Sequence, residues 1–269
     1  MNRIDQTFKK LASQNKKALI PYVSVGDPNL EFTERLVLKL AEEGADLIEL
    51  GIPYSDPVAD GPTIQKASAR ALSGGVTLEK IFSLILRLRE KTQIPLIIMS
   101  YFNPIYVKGM ENFTKKASAS GIDGIIIPDL PVEEAGIFNE LAKEQGIYLI
   151  NLIAPTSNKR IKKIVQNSKG FIYCVSSLGV TGARAGNFNN LETFLQNIRA
   201  ETDLPLAVGF GVSTSEQAKN IAQYAEGVII GSALINQIEK NIDQNYFNQE
   251  KALSDASSFI RDLKGAMSI

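Results

Sequence analysis

Residues 46–62 read Asp46-Leu-Ile-Glu49-Leu-Gly51-Ile-Pro53-Tyr-Ser-Asp56-Pro-Val-Ala-Asp60-Gly-Pro62. The first part, Asp46–Gly51, is a short, nearly continuous apolar run, the pattern of a parallel strand buried on both faces. Glu49 is the one carboxylate embedded in it, and a proline-rich loop follows. Working outward, similar runs occur at Ala18–Val25, Leu96–Tyr101, Gly124–Pro128, Tyr148–Ile153, Phe171–Ser176, Leu206–Gly211 and Gly227–Gly231. Polar segments with helical spacing lie between them, at Phe32–Glu43, Leu78–Lys91, Val132–Gln145, Lys159–Asn167 and Ser215–Tyr224. Alternation of strand and helix implies a parallel sheet. Eight such units in 269 residues favour closure into a (β/α)₈ TIM barrel over an open sheet, since such barrels typically take about 250 residues.

The expected architecture is therefore one barrel domain spanning residues 1–269. Extra helices are expected at Ile4–Gln14 and Lys251–Leu263, and another at about Thr63–Leu72. Gly44, Gly121, Gly146 and Gly170 sit where glycine ends a helix before a strand. Pro95 and Pro205 open strands, where a missing N–H is tolerated. Pro21 falls inside the first run, which predicts a bulge or an unpaired position there.

Composition narrows the chemistry. Lys+Arg and Asp+Glu both number 29, so the net charge is zero and no basic field exists to hold nucleic acid. No segment has the apolar length of a signal peptide or a membrane span. The lone cysteine, Cys174, cannot form an internal disulfide, which fits a cytoplasmic protein. Histidine is absent, which removes the usual general base and the usual metal ligand. Acid–base work falls to Asp, Glu, Lys, Tyr or Cys174, and Cys174 reads as core.

In a TIM barrel the site forms at the C-terminal ends of the strands. Glu49 shares a strand face with Leu47 and Gly51. If that face points inward, burial raises its pKa and suits it to hold or pass a proton near neutrality. A strand-end glutamate paired with a loop lysine is the structural alternative. Asp56 and Asp60 read equally well as functional carboxylates or turn residues. Asp27, Asp56 and Asp60 have no recognisable metal-ligand spacing. Asp129 reads as a ligand contact or as a cap for the helix at Val132, and Arg184 as a contact to phosphate or a partner or equally as a solvated arginine. Three glycine-bearing loops, Gly179–Gly186, Gly209–Thr214 and Gly231-Ser232, point to phosphate binding by backbone amides and a helix N-terminus.

Taken together, Leu47–Gln65, Val25-Gly-Asp-Pro28, Pro128–Glu134, Ser177–Gly182 and Gly209–Ser213 resemble the tryptophan synthase alpha chain family. The match runs in order from about Pro21 to Asn241. The resemblance implies retro-aldol cleavage of indole-3-glycerol phosphate to indole and glyceraldehyde 3-phosphate, without a cofactor in this chain. By the same resemblance Glu49 is the main catalytic acid–base and Asp60 the second carboxylate, holding the indole N–H. Tyr22, Ile64, Tyr101 and Tyr173 match pocket positions. Gly182, Gly211, Gly231 and Ser232 match phosphate contacts, and Thr181 matches a residue that meets Asp60 when a lid over Gly179–Asn189 closes. The implied partner is a tryptophan synthase beta subunit in an α₂β₂ complex, carrying pyridoxal phosphate and docking near Asp56-Pro57 and Asn103-Pro104. Two positions depart from the pattern. Tyr22 stands where phenylalanine is frequent, and Ser177 where some relatives carry arginine; both are expected to stand apart from the two carboxylates.

Overall fold

The computed structural model describes residues 1–175, 188–209, 211–243 and 246–267. Its strands are β1 (Ala18–Ser24), β2 (Ile48–Gly51), β3 (Leu96–Met99), β4 (Gly124–Ile126), β5 (Tyr148–Ile150), β6 (Leu152–Ile153), β7 (Ile172–Val175), β8 (Leu206–Gly209) and β9 (Gly227–Ile230). All are paired in parallel, in the order β5-β4-β3-β2-β1-β9-β8-β7-β6. The two ends of that order, β5 and β6, are separated in the chain only by Asn151. They are two halves of one barrel stave, so the ring closes, and each of the eight expected runs contributes one stave. Asn151 turns its amide outward to the Asn167 carbonyl and the Ser168 hydroxyl, at 2.9 and 3.0 Å.

The helices are α1 (Arg3–Ser13), α2 (Leu30–Glu42), α3 (Pro62–Ser73), α4 (Leu78–Lys91), α5 (Phe102–Lys108) and α6 (Met110–Ser120). They continue as α7 (Gly136–Glu144), α8 (Ile161–Gln166), α9 (Phe188–Arg199), α10 (Ser215–Ala222), α11 (Ser232–Glu239) and α12 (Gln249–Ala266). The expected extra helices are present as α1, α3 and α12. The four expected C-cap glycines all have positive φ. No described helix is long and apolar enough to cross a membrane.

Three expectations need correction. The helix expected over Val132–Gln145 begins only at Gly136, because the amides of Glu134 and Ala135 first turn back onto the Pro131 carbonyl. The segment Lys159–Asn167 is entered through a 3₁₀ stretch, Pro155–Arg160, before α8. Of the two readings of Pro21 the bulge falls, since β1 runs through it, and the unpaired position stands. Amide alternation puts Pro21 on the same side as Leu19, whose N–H reaches the Asp46 carboxylate at 2.8 Å. The β1–β2 ladder starts only at Tyr22↔Glu49, so the missing proline N–H lies just below the first rung.

Strand alternation makes two cores. Outward residues such as Leu19, Val23, Ile48, Leu50 and Ile98 pack against the helix ring through Leu36, Leu40, Leu84, Leu88 and Phe113. Inward residues Ala18, Ile20, Leu47, Ile97, Ile126, Ile150, Phe171 and Ala207 fill the barrel and meet Ile4, Phe8 and Leu11 of α1. Helix α1 therefore plugs the N-terminal mouth, with the Phe8 and Phe171 rings 5.6 Å apart. Glu49 continues the inward series Leu47, Glu49, Gly51, as the period of two requires.

Buried ion pairs tie this frame together. At the N-terminal mouth, Asp123 accepts from Arg3 at 2.9 Å, Arg89 at 2.5 Å and the Leu96 amide at 2.9 Å. At the other end, Arg70 of α3 grips Asp27 with two bonds, at 2.7 and 2.9 Å, and Glu239 of α11 with a third at 3.0 Å. That fork fixes α3, which starts just after Asp60, against the helix that starts at Ser232.

Candidate active site

Glu49 is 1% exposed, and neither carboxyl oxygen has a hydrogen-bond partner among the described residues. A buried carboxyl so placed favours its neutral form. Burial, and then the nearby Asp60 charge, push its pKa up to about 8. The loop-lysine alternative is thereby set aside. The proton is held at neutral pH, and the oxygens are left for something that enters the barrel mouth.

Asp60 comes from the loop between β2 and α3. That loop is anchored at both ends: the Ile52 amide bonds the Met99 carbonyl at 2.8 Å, and Gly61-Pro62 start α3. Within it the Val58 amide bonds the Asp56 carbonyl and the Asp60 amide bonds the Pro57 carbonyl. Tyr101, at the end of β3, fixes the tip. Its hydroxyl accepts from the Ala59 N–H at 2.8 Å and donates to the Asp60 carboxylate, while its ring stacks on Tyr54 at 5.1 Å. Burial raises Asp60 to about 6, and the Tyr101 hydrogen bond opposes that rise. The two carboxyls thus have different environments and different proton affinities, the arrangement needed to divide acid and base roles. Asp56 is exposed and, among the described residues, its carboxylate accepts only from its neighbour Ser55, at 2.8 Å.

Tyrosines line the space between. Tyr22 pairs with Glu49 in the β1–β2 ladder, and both carboxyls raise its pKa after burial does. It therefore does not stand apart from the carboxylates, contrary to expectation. Tyr173 of β7 is also buried, with its pKa raised by burial and then by Glu49. Ile64, in the first turn of α3, packs with Tyr22, Ala67, Ile235 and Met99.

Two glycines make room for these rings, and the sequence reading missed that role. A Cβ at Gly51 would overlap the Tyr22 hydroxyl, and one at Gly209 would lie 2.6 Å from the Tyr173 hydroxyl. Gly209 is the last residue of β8, a seat for a tyrosine rather than part of a loop. The available signal was alternation: a strand-end glycine on the inward face, beside a strand that carries an inward tyrosine.

The expected phosphate end is only partly described. Gly211 has φ +79°. Gln217 folds back to accept from the Ser213 and Thr214 amides at 2.8 and 3.2 Å, so the N-terminus of α10 is satisfied internally. Helix α11 differs: Gly231 caps it with no side-chain bond, leaving the first amides, at Ser232 and Ala233, without such a partner. Ser177, Thr181, Gly182, Arg184 and the 179–187 part of the expected lid lie outside the described residues.

Other candidates separate from the site. Asp27 is committed to Arg70, and among the described residues no three of His, Cys, Asp and Glu cluster as metal ligands. Cys174 is fully buried, and burial pushes its thiol up. Asp129 does not cap a helix at Val132; it accepts from the Phe102 amide at 2.9 Å, at the start of α5.

Comparison with known proteins places this geometry. The family model for tryptophan synthase alpha chain matches residues 8–267. A tryptophan synthase alpha chain of Thermoanaerobacter sp. (strain X514) is 47% identical over 264 residues, 98% of this chain and 99% of that protein. One from Geotalea daltonii is 52% identical over 241 residues, 89% of this chain and 91% of that protein. The solved tryptophan synthase subunit alpha of Legionella pneumophila str. Paris superposes with a TM-score of 0.91 at 37% identity, over 99% of this chain and 98% of that one. A chain of the tryptophan synthase complex of Pyrococcus furiosus superposes with a TM-score of 0.82 at 37% identity, over 93% of this chain and 99% of that one.

Proposed function

We infer the function from a premise now available: this chain belongs to the tryptophan synthase alpha chain family. It is a carbon–carbon lyase that cleaves indole-3-glycerol phosphate to indole and glyceraldehyde 3-phosphate, in tryptophan biosynthesis. It works with a tryptophan synthase beta chain and needs no cofactor of its own; pyridoxal phosphate belongs to the beta chain. Residues 1–269 are read as one catalytic domain. A cytoplasmic location is proposed on the single unpaired cysteine and the biosynthetic role.

The roles of individual residues are our proposal, and the buried Glu49 carboxyl, without a hydrogen-bond partner among the described residues and within reach of the Asp60 charge, carries it. The reaction moves one proton onto the indole C3 and removes one from the hydroxyl on the adjacent glycerol carbon. Neutral Glu49 gives the first proton, and the resulting carboxylate takes the second as the C–C bond breaks and the bonding electrons return to the ring. The glutamate ends as it began. Positive charge on the protonated ring is stabilised by ionised Asp60, which also holds the indole N–H. Tyr22, Ile64, Tyr101 and Tyr173 form the aromatic mouth for the indole. Gly211, Gly231 and Ser232, with the undescribed Thr181 and Gly182, are assigned to the phosphate and the lid. The beta chain is assigned to the face bearing Val58, Tyr106 and Val107, apolar side chains 87%, 65% and 77% exposed near the loops after β2 and β3.

The assay for this reading is indole release from indole-3-glycerol phosphate, with and without a beta chain. Weak release that rises strongly with beta is expected. Fast release indifferent to beta indicates a free-standing lyase, and none under either condition refutes the reaction.

A pH profile tests the division of labour. Catalysis needs Asp60 ionised and Glu49 protonated, so kcat/KM is expected to be bell-shaped, with limbs near about 6 and about 8. The Tyr101 hydroxyl lowers the Asp60 pKa, so Tyr101→Phe should move the acid limb to higher pH and leave the alkaline limb in place. An acid limb that stays where it was counts against Asp60 as the group read there.

A further inference from the structure

We propose that the Tyr22 hydroxyl is a substrate-binding donor, hydrogen-bonding a hydroxyl on the three-carbon chain that joins the indole ring to the phosphate. The proposal rests on the reading of the site as an indole-3-glycerol phosphate lyase and adds the group that recognises the glycerol portion.

The geometry is that of a ring laid across the barrel mouth. Its root lies beside Gly231, where an added Cβ would sit 3.7 Å from the Tyr22 Cβ. Its hydroxyl lies over Gly51, the next inward position beyond Glu49 on β2. The ring thus runs from the uncapped start of α11, the phosphate end, to the carboxyl that exchanges protons. A three-carbon chain linking those two points has to pass along it. Apart from its two hydroxyls that stretch of the substrate is hydrocarbon.

The hydroxyl is also unspent. Tyr22 is only 6% exposed, yet its hydroxyl has no hydrogen-bond partner among the described residues. The hydroxyl is not among the buried polar atoms left without a partner, so it is the accessible tip of an otherwise buried ring, open to a ligand in the mouth. Gly51 leaves room for the end of this ring, its edge carbons as well as its hydroxyl, and so sets the hydroxyl just beyond Glu49. Burial and the two carboxyls raise its pKa well above the ordinary value, so it stays a neutral donor across the working pH range. A neutral donor suits a substrate hydroxyl as acceptor.

The test compares the full-length chain with its Tyr22→Phe variant, both with a beta chain added. Two quantities are read: kcat/KM for indole-3-glycerol phosphate, and the Kd of 3-(indol-3-yl)propyl phosphate, which keeps ring, chain length and phosphate but lacks both hydroxyls. The expected result is a fall of about ten-fold in kcat/KM, the scale of one neutral hydrogen bond, with the Kd of the propyl compound unchanged. An unchanged kcat/KM overturns the proposal. Equal losses on both compounds also overturn it, because they mean the ring's packing matters and the hydroxyl does not. If the unmutated chain releases no indole and binds neither compound, the lyase reading itself fails, an outcome distinct from a normal wild-type rate that Tyr22→Phe leaves untouched.

Discussion

Glu49→Gln is expected to lower indole release by about 10³-fold or more, because one side chain both supplies and recovers the proton and such transfers contribute roughly 10²–10⁴ each. Glutamine keeps the size and shape but can do neither. Binding of the propyl phosphate compound should persist, since that ligand asks for no proton transfer. The same substitution has a second readout in stability. The folded pKa of Glu49, about 8, lies far above its unfolded value of roughly 4.3. Between those two values the unfolded chain gives up a proton that the folded chain keeps, so folding stability falls as pH rises. The Glu49 contribution is fully present below about pH 4 and is lost as pH climbs through about 8, with a total of the order of a few kcal/mol. Glu49→Gln should remove that part of the slope. Urea unfolding at pH 5 and pH 8, beside the indole assay, checks both. A folded variant that cleaves at near the normal rate ends the assignment of Glu49. An unchanged pH slope shows that its carboxyl is not held neutral.

The barrel was legible because its strands announce themselves. Every stave lies within one of the apolar runs, since a strand buried on both faces leaves no polar alternative. Glu49 was legible for the converse reason: one charge inside such a run, on the face of Leu47 and Gly51, has few structural uses. What escaped reading depends on partners far apart in sequence. Asp60 could not be told from a turn aspartate until Tyr101, 41 positions on, was seen to hold it. The cap reading of Asp129 pointed to the wrong helix, because its partner is the amide of Phe102 and not one of the residues that follow it. Helix α5, absent from the expected segments, follows the β3 run directly, with only Gly109 between it and α6, the helix that ends at Gly121. Gly51 was legible as a strand position and Gly209 as the start of a glycine-bearing loop, yet the role of each is defined by a tyrosine on the neighbouring strand. Local pattern gives elements and faces; which side chains meet at a mouth built from eight loops is settled by closure of the ring.

Closure also separates the two ends of the barrel, and Asp123→Ala is the substitution that should show it. Asp123 and Arg89 are 4% and 10% exposed in their side chains and paired at 2.5 Å. Arg89 is already costly to bury: desolvation pushes it down to about 10 even with Asp123 beside it. Its remaining donors reach the Gly121 and Ile94 carbonyls, which satisfy hydrogen bonds but carry no counter-charge. Removing Asp123 strands that guanidinium and also frees the Leu96 amide and Arg3. A buried charge left without its partner costs about 3–5 kcal/mol. For a domain of this size that is a fall of roughly 10 °C in Tm. Catalysis should behave in the opposite way. Asp123 precedes β4 at the N-terminal mouth, beside the α1 plug, while the carboxyl and tyrosine site forms where the strands end. At a temperature where the variant stays folded, its kcat/KM and pH profile should match the unmutated chain. Thermal unfolding and the indole assay on the same preparation give both numbers. Asp123→Asn, which keeps an acceptor and loses the charge, should fall between. An unchanged Tm would mean Arg89 finds another partner or water, and a lost kcat/KM with an intact fold would mean the two mouths are coupled through the strands rather than independent.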